Sequence, residues 1–176
     1  MASQQRHQDA RVFLMPMDDL ECTQNISFLF SQTQVVEILG NRPIQKIPFS
    51  PRHVLGIIAY QGRSLPVINL PDLCGRASEA GRNRYKQLMV VRTTVSDPES
   101  GEPLKVALAT NAAIRILKLS SQALTNSFIQ KQAPDWLTAS IGLRGFFQWG
   151  DECVALVQLN NVALGNDVPS AKAIGR

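Results

Sequence analysis

The chain has 176 residues, of which 44% are hydrophobic and 18% charged, enough apolar material for a substantial core on the scale of one domain. Its formal charge of +4 is unevenly placed, with 7 Lys/Arg against 7 Asp/Glu in residues 1–80 and 11 against 7 in residues 81–176. No run of about 18 consecutive apolar residues is present, and the start, Met1 to Asp9, is polar without an apolar signal region, so neither a membrane-spanning helix nor a secretory leader is expected, and a soluble, cytoplasmic protein is.

In chain order, "RVFLMPM" from Arg11 to Met17 predicts a short strand, with Pro16 confining that end to an edge or a strand terminus. A polar turn at Asp18-Asp19 and a return strand from about Cys22 to Phe30 complete a hairpin. "VVEIL", Val35 to Leu39, fits a strand or one helical turn, and periodicity does not choose between them. Pro43, Pro48 and Pro51 exclude a long helix over 40–52. Strands at Val54–Tyr60 and Ser64–Leu70 follow, joined at Gln61-Gly62-Arg63, where Gly62 is best able to take a positive φ. Pro66 is admissible in the second strand only at an edge, a bulge or a strand start. One helical turn after Pro71 leads into a Gly/Ser/Arg-rich connection, the natural boundary between two halves.

The second half opens with a strand over Gln87–Thr94, then a turn-rich insert "VSDPESGEP" and a strand "LKVALAT", as in a hairpin with an extended loop. Ile114, Ile116, Leu117 and Leu119 largely alternate with Arg115 and Lys118, which is strand-like. Phe146–Trp149, a Gly150-Asp151 turn and Cys153–Leu159 form a closing hairpin, and the residues after Leu164 are expected to form a loose tail. Short strands about ten residues apart without long helices indicate an all-β barrel or sandwich.

Catalytic chemistry finds no support. His7 and His53 lack a second ligand at metal spacing, and no phosphate-cradling or dinucleotide-binding glycine run is present. Gly62-Arg63-Ser64-Leu65-Pro66 has Pro where a nucleophile elbow needs its second Gly. Asp18-Asp19 and Asp151-Glu152 occupy turn signals, where bonding to the local backbone explains them. Cys22, Cys74 and Cys153 are widely spaced, and a buried, inert role outweighs a thiol-dependent enzyme. Trp136 and Trp149 suit core packing better than an interface. The cluster Arg76, Arg82, Arg84, Lys86 with Tyr85 interleaved leaves one alternative, a basic β-barrel that binds nucleic acid. A noncatalytic β scaffold, with no cofactor or metal, is the reading the residues carry.

The ordered series Val35-Val36-Glu37-Ile38, Ile47-Pro48, Pro51, Val54-Leu55-Gly56-Ile57-Ile58, Gly62 and Leu65-Pro66-Val67-Ile68-Asn69-Leu70 resembles the CheW-like domain of bacterial chemosensory systems. "VALATNAAIRILKL" and "GDECVALVQLNNVAL" extend the likeness more weakly over about residues 11–164. The resemblance implies an all-β fold of two small five-stranded β-barrels packed around a shared hydrophobic core. It implies one domain over 11–165, with halves at approximately 11–75 and 84–165 and flexible tails at 1–10 and 166–176. It also implies a noncatalytic adaptor for chemotaxis or pilus-based motility that binds the regulatory domain of a CheA-type histidine kinase and the cytoplasmic tips of methyl-accepting chemoreceptors.

By the same resemblance Val35, Glu37 and Gly56 match positions of receptor or kinase contact, and the tip Gln61, Gly62 and Arg63 stands where the family's Arg-Gly meets the receptor. Glu37→Lys and Gly56→Asp are therefore expected to disrupt binding with the fold mostly intact, provided those sites are exposed. The family's Arg is Gln61 here, and three of its Asp positions are Asn69, Asn111 and Gln158. Neutral hydrogen bonds are weaker than charge-assisted ones, so the usual contacts are expected to be altered. Arg63 lies one residue late, on the other face of a strand, and is not expected to replace that Arg.

Overall fold

The computed structural model describes residues 10–17, 25–75, 85–119, 129–130 and 143–164. The strands are β1 (Ala10–Pro16), β2 (Asn25–Ser31), β3 (Val35–Gly40), β4 (Val54–Tyr60), β5 (Arg63–Ile68), β6 (Gln87–Ser96), β7 (Pro103–Thr110), β8 (Arg115–Leu119), β9 (Ile129–Gln130), β10 (Leu143–Trp149) and β11 (Glu152–Val157). Two short helices, α1 (Leu70–Leu73) and α2 (Leu159–Leu164), follow β5 and β11. The segment left open between strand and helix is strand β3. The tail after Leu164 and the Asp18-Asp19 turn lie outside the described residues.

The strands form a six-stranded sheet in the order β8-β1-β2-β11-β10-β9 and a five-stranded sheet in the order β3-β6-β7-β5-β4. Neighbours are antiparallel except β2–β11 and β5–β7, which are parallel. Each sheet takes strands from both sides of residues 76–84, so the sheets are not the consecutive segments 11–75 and 84–165. Four pairings cross residues 76–84: the antiparallel pairs β1–β8 and β3–β6, and the parallel pairs β2–β11 and β5–β7, which need long crossover connections.

Alternation of side chains builds two cores from the same central strands. Leu88 and Val90 of β6, Ala107 and Ala109 of β7, and Leu65 and Val67 of β5 point into one cluster with Leu39, Ile58 and Tyr60. Met89, Val91, Val106, Leu108 and Ile68 point the other way, onto Met15, Ile26, Phe28 and Phe30 of the six-stranded sheet and onto Ala155, Val157, Leu159 and Val162. Strands buried on both faces read as unbroken apolar runs, as "QLMVV" and "VALA" do. The five-stranded sheet is curled: the hydroxyl of Tyr60 on edge strand β4 donates to Glu37 Oε2 on the opposite edge strand β3 at 3.0 Å. The cluster around Leu88, Val90 and Tyr60 fills that curl, and the cluster around Met89, Phe28 and Phe30 is shared between the sheets.

Details depart from the sequence reading. Pro66 lies in β5, an interior strand between β4 and β7. It is tolerated there because the β5–β7 ladder covers only Val67 and Ile68, so no partner on that side needs the missing N–H. The closing strand stops at Val157 rather than Leu159, and Leu159 and Val162 of α2 are buried in the shared core. The insert after β6 is organised by Asp97, whose carboxylate accepts from the backbone N–H groups of Glu99 (2.8 Å) and Ser100 (3.1 Å). Bonds from Ser100 and then Glu99 hold that carboxyl below its usual pKa.

Candidate partner-binding site

The residues singled out by sequence lie on β3 and on the β4–β5 hairpin. A register shift falls between Val35 and Glu37, where Val35 faces Val91 and Glu37 already faces Val90. The extra residue is Val36, and this bulge turns both Val36, 40% exposed, and Glu37 toward solvent while Val35 stays half-buried against the shared core. Sequence periodicity could not find Val36, because a bulge breaks the alternation on which such reading depends. Glu37 is exposed as expected, and the Tyr60 hydroxyl holds it at the seam where the sheet's edges meet.

Tyr60 is buried. Burial raises its pKa, and the hydrogen bond to Glu37 with that carboxylate's charge adds to the rise. The protonated form is thus favoured in the folded state, and its stabilising contribution is complete below the ordinary tyrosine pKa of 10.0 and is lost as pH climbs through the raised value. One of the two tyrosines is therefore expected to titrate above pH 10.0 in the folded protein, read by tyrosinate absorbance, and Tyr60→Phe should remove about 1 kcal/mol in urea unfolding at neutral pH.

Gly56 is buried, with φ +145°. A Cβ built on it would stand 2.2 Å from Gln45 O and 2.9 Å from Ile44 Cγ2. The Gln45 backbone exchanges two hydrogen bonds of 2.9 Å with Ile57, so the 44–45 segment lies directly against the glycine. The exposure on which an intact Gly56→Asp fold depended is absent, and a side chain there displaces backbone.

At the tip, Gln61 (φ 50°) and Gly62 (φ 77°) both adopt left-handed backbone between paired Tyr60 and Arg63, the two-residue hairpin turn whose twist matches its strands. The positive φ at Gly62 was legible; that at Gln61 was not, because glutamine is not a typical left-handed residue. Gln61, Gly62 and Arg63 are all exposed. Arg63 Nη1 lies 3.4 Å from Glu102 Oε2 across the β6–β7 connection, an exposed pair that solvent screens to about 0–1 kcal/mol. A cavity of about 410 Å³ opens between the tip and that connection, lined in part by Tyr60, Gln61, Arg63, Asp97 and Glu102. Sequence reasoning missed Tyr60, which adjoins the tip at the end of β4, and Glu102, which comes from the β6–β7 connection.

The other neutral substitutions sit elsewhere. Asn69 caps α1 by accepting from Asp72 N at 3.1 Å, and its Nδ2 donates to Tyr85 Oη at 3.3 Å. Asn111 and Gln158 are half-buried, and Asn111 Oδ1 is buried without a hydrogen-bond partner among the described residues. Of the four neutral positions, Gln61 is the one that lies on the tip.

Remaining candidates for chemistry are accounted for by packing. His53 is half-buried, and burial lowers its pKa against the opposing pull of Asp72. Cys74 and Cys153 are buried in the shared core, while His7, Cys22 and Trp136 lie outside the described residues. Glu152 does not serve a local turn: it takes the Ser27 hydroxyl and Arg115 Nη2, tying β11 to β2 and β8. No group of three or more His, Cys, Asp or Glu suited to a metal ion occurs among the described residues. Arg76, Arg82 and Arg84 lie outside them. Tyr85, the aromatic interleaved with that basic cluster, is buried and bonded to Asn69, so it offers no stacking face to a base. No helix among the described residues is long and apolar enough to cross a membrane.

Among the described residues the geometry is an exposed face without a reacting constellation. The crystal structure of the scaffolding protein TtCheW from Thermoanaerobacter tengcongensis superposes with a TM-score of 0.64 at 17% sequence identity, over 90% of each chain, which shows a common fold. No curated protein sequence matches the chain. The profile of the CheW-like domain matches residues 21–163, which include the bulged strand, the hairpin tip and every strand of the two sheets except β1, and the chain belongs to the CheW-like domain family, whose scaffold proteins are noncatalytic.

Proposed function

We propose that this protein is a chemosensory adaptor that couples chemoreceptors to the regulatory domain of a CheA-type histidine kinase, acting in the cytoplasm as a single domain over 11–165. The observation that carries the reading is the bulged edge strand and hairpin tip held on one curled sheet, with Val36, Glu37, Gln61 and Gly62 exposed. An adaptor needs surfaces in fixed relation, and the Tyr60–Glu37 bond fixes these two. Val35, Glu37, Gln61, Gly62 and Arg63 belong to the contact face, and Gly56 supports it from beneath.

The test is a reciprocal pull-down with the kinase regulatory domain and receptor cytoplasmic tips of the same organism. Retention of both supports the reading, and retention of neither, where a control adaptor is retained, removes it. The tip makes a narrower prediction. Gln61→Arg restores a cation, and charge-assisted bonds are about twice as strong as neutral ones. Receptor affinity is expected to rise at least about fivefold at low salt with kinase affinity unchanged, as read by calorimetry; equal receptor affinity places Gln61 outside the contact.

A further inference from the structure

The connection from β3 to β4 exposes an aromatic side chain that the fold does not use. Phe49 is 107% exposed and Ile47 beside it is 41% exposed. Phe49 also holds φ 59°, a left-handed conformation that is an outlier for a bulky side chain and persists only where the surroundings impose it. Here Pro48 and Pro51 flank it, Val54 N donates to Pro51 O at 2.9 Å, and the Gln45–Ile57 bond pair fastens the start of the loop to β4. A strained, fully solvated phenylalanine on a fixed loop is what an interface anchor requires, since aromatic anchors carry a large share of binding energy and lose little freedom on docking.

Charge around the anchor specifies its partner. A cavity of about 570 Å³ beside the loop is lined by Arg42, Lys46 and Arg52 together with Ile44, Ile47 and Tyr85, and no carboxylate lines it. Arg52 is paired with Asp72 at 3.5 Å, whereas Arg42 and Lys46 have no ion-pair partner among the described residues. Gly56 connects this loop to the adaptor reading. It has no exposed face, and its absent side chain leaves room for Ile44 and Gln45. A partner contact that depends on Gly56 is therefore made by the surface that Gly56 supports.

We propose that residues 41–52 are a docking knob for the kinase regulatory domain, with Phe49 entering an apolar socket and Arg42 and Lys46 meeting carboxylates on its rim. This rests on the adaptor reading. The kinase domain is the chosen occupant because a fixed convex knob requires a preformed concave site on a folded domain.

The test is calorimetry of the purified regulatory domain of the CheA-type kinase from the same organism against the full chain and its variants, with a parallel titration of the receptor tip. Phe49→Ala is expected to weaken kinase binding at least about tenfold with an unchanged thermal midpoint, and Phe49→Leu to stay within about threefold of the parent. Phe49→Gly, which adopts φ 59° freely, covers any disturbance of the loop by alanine and should lose as much. Reversing charge in Arg42→Glu with Lys46→Glu should weaken binding and flatten its salt dependence. Parent binding with equal affinity for Phe49→Ala and Phe49→Gly overturns the knob and leaves the adaptor reading standing. Loss confined to the receptor titration overturns the choice of occupant, and no kinase binding by the parent chain overturns both readings.

Discussion

Gly56→Ala is expected to lose about 3 kcal/mol of stability or more, lowering the thermal midpoint by roughly 6–12 °C. Two causes combine. The residue holds φ +145°, which side chains rarely adopt, and the added Cβ would sit 2.2 Å from Gln45 O and 2.8 Å from Gln45 C. Both obstacles are backbone, so no rotamer change relieves them, and the Gln45–Ile57 bond pair must yield. Gly62→Ala is the control: it also has positive φ, +77°, but nothing lies within 4 Å of its Cβ position. Its cost should be the backbone contribution alone, about 1 kcal/mol. Urea unfolding of the pair isolates the steric contact, and equal losses would contradict the placement of residues 44–45 on Gly56.

Phe28→Ala is expected to cost about 3–5 kcal/mol. Phe28 is wholly buried on β2 in the core that the two sheets share, among Met15, Phe30, Met89, Val91 and Leu108. Truncation leaves a void bounded by both sheets, which cannot close without moving one relative to the other. The loss should therefore appear as a single unfolding transition with unchanged denaturant slope, seen alike by far-UV circular dichroism and tryptophan fluorescence. Two separate transitions would mean that the sheets stand on independent cores.

Legibility in the sequence followed the range of the interactions. The β4–β5 hairpin was readable because apolar runs flank a glycine that needs positive φ, and the β10–β11 hairpin because Gly150-Asp151 separates two such runs. Each is decided within a few residues. The curl of the five-stranded sheet depends on Tyr60 meeting Glu37, and sheet membership on parallel pairs such as Val154 with Ser27. No local pattern encodes either. The site divides in the same way. Glu37 and the tip came from a motif resemblance, while Val36 was hidden by a bulge and Glu102 by its distance along the chain. Phe49 was hidden because "PFSP" reads only as a turn, and neither its left-handed backbone nor its exposure follows from the residue type. Gly56 came from the same resemblance, and its burial beneath residues 44–45 depends on a contact between segments that no local pattern encodes.

The central claim is coupling, and kinase autophosphorylation measures it most directly. Receptor-containing membranes and the CheA-type kinase of the same organism are mixed with and without this protein, and the initial rate of phosphate incorporation is read with and without attractant. The adaptor account predicts that the rate responds to attractant only when the protein is present, and that Glu37→Lys abolishes the response while lowering the thermal midpoint by only the few degrees that losing the Tyr60 bond costs, about 1 kcal/mol. An attractant response of the same size without the protein, or none with it, would contradict the account.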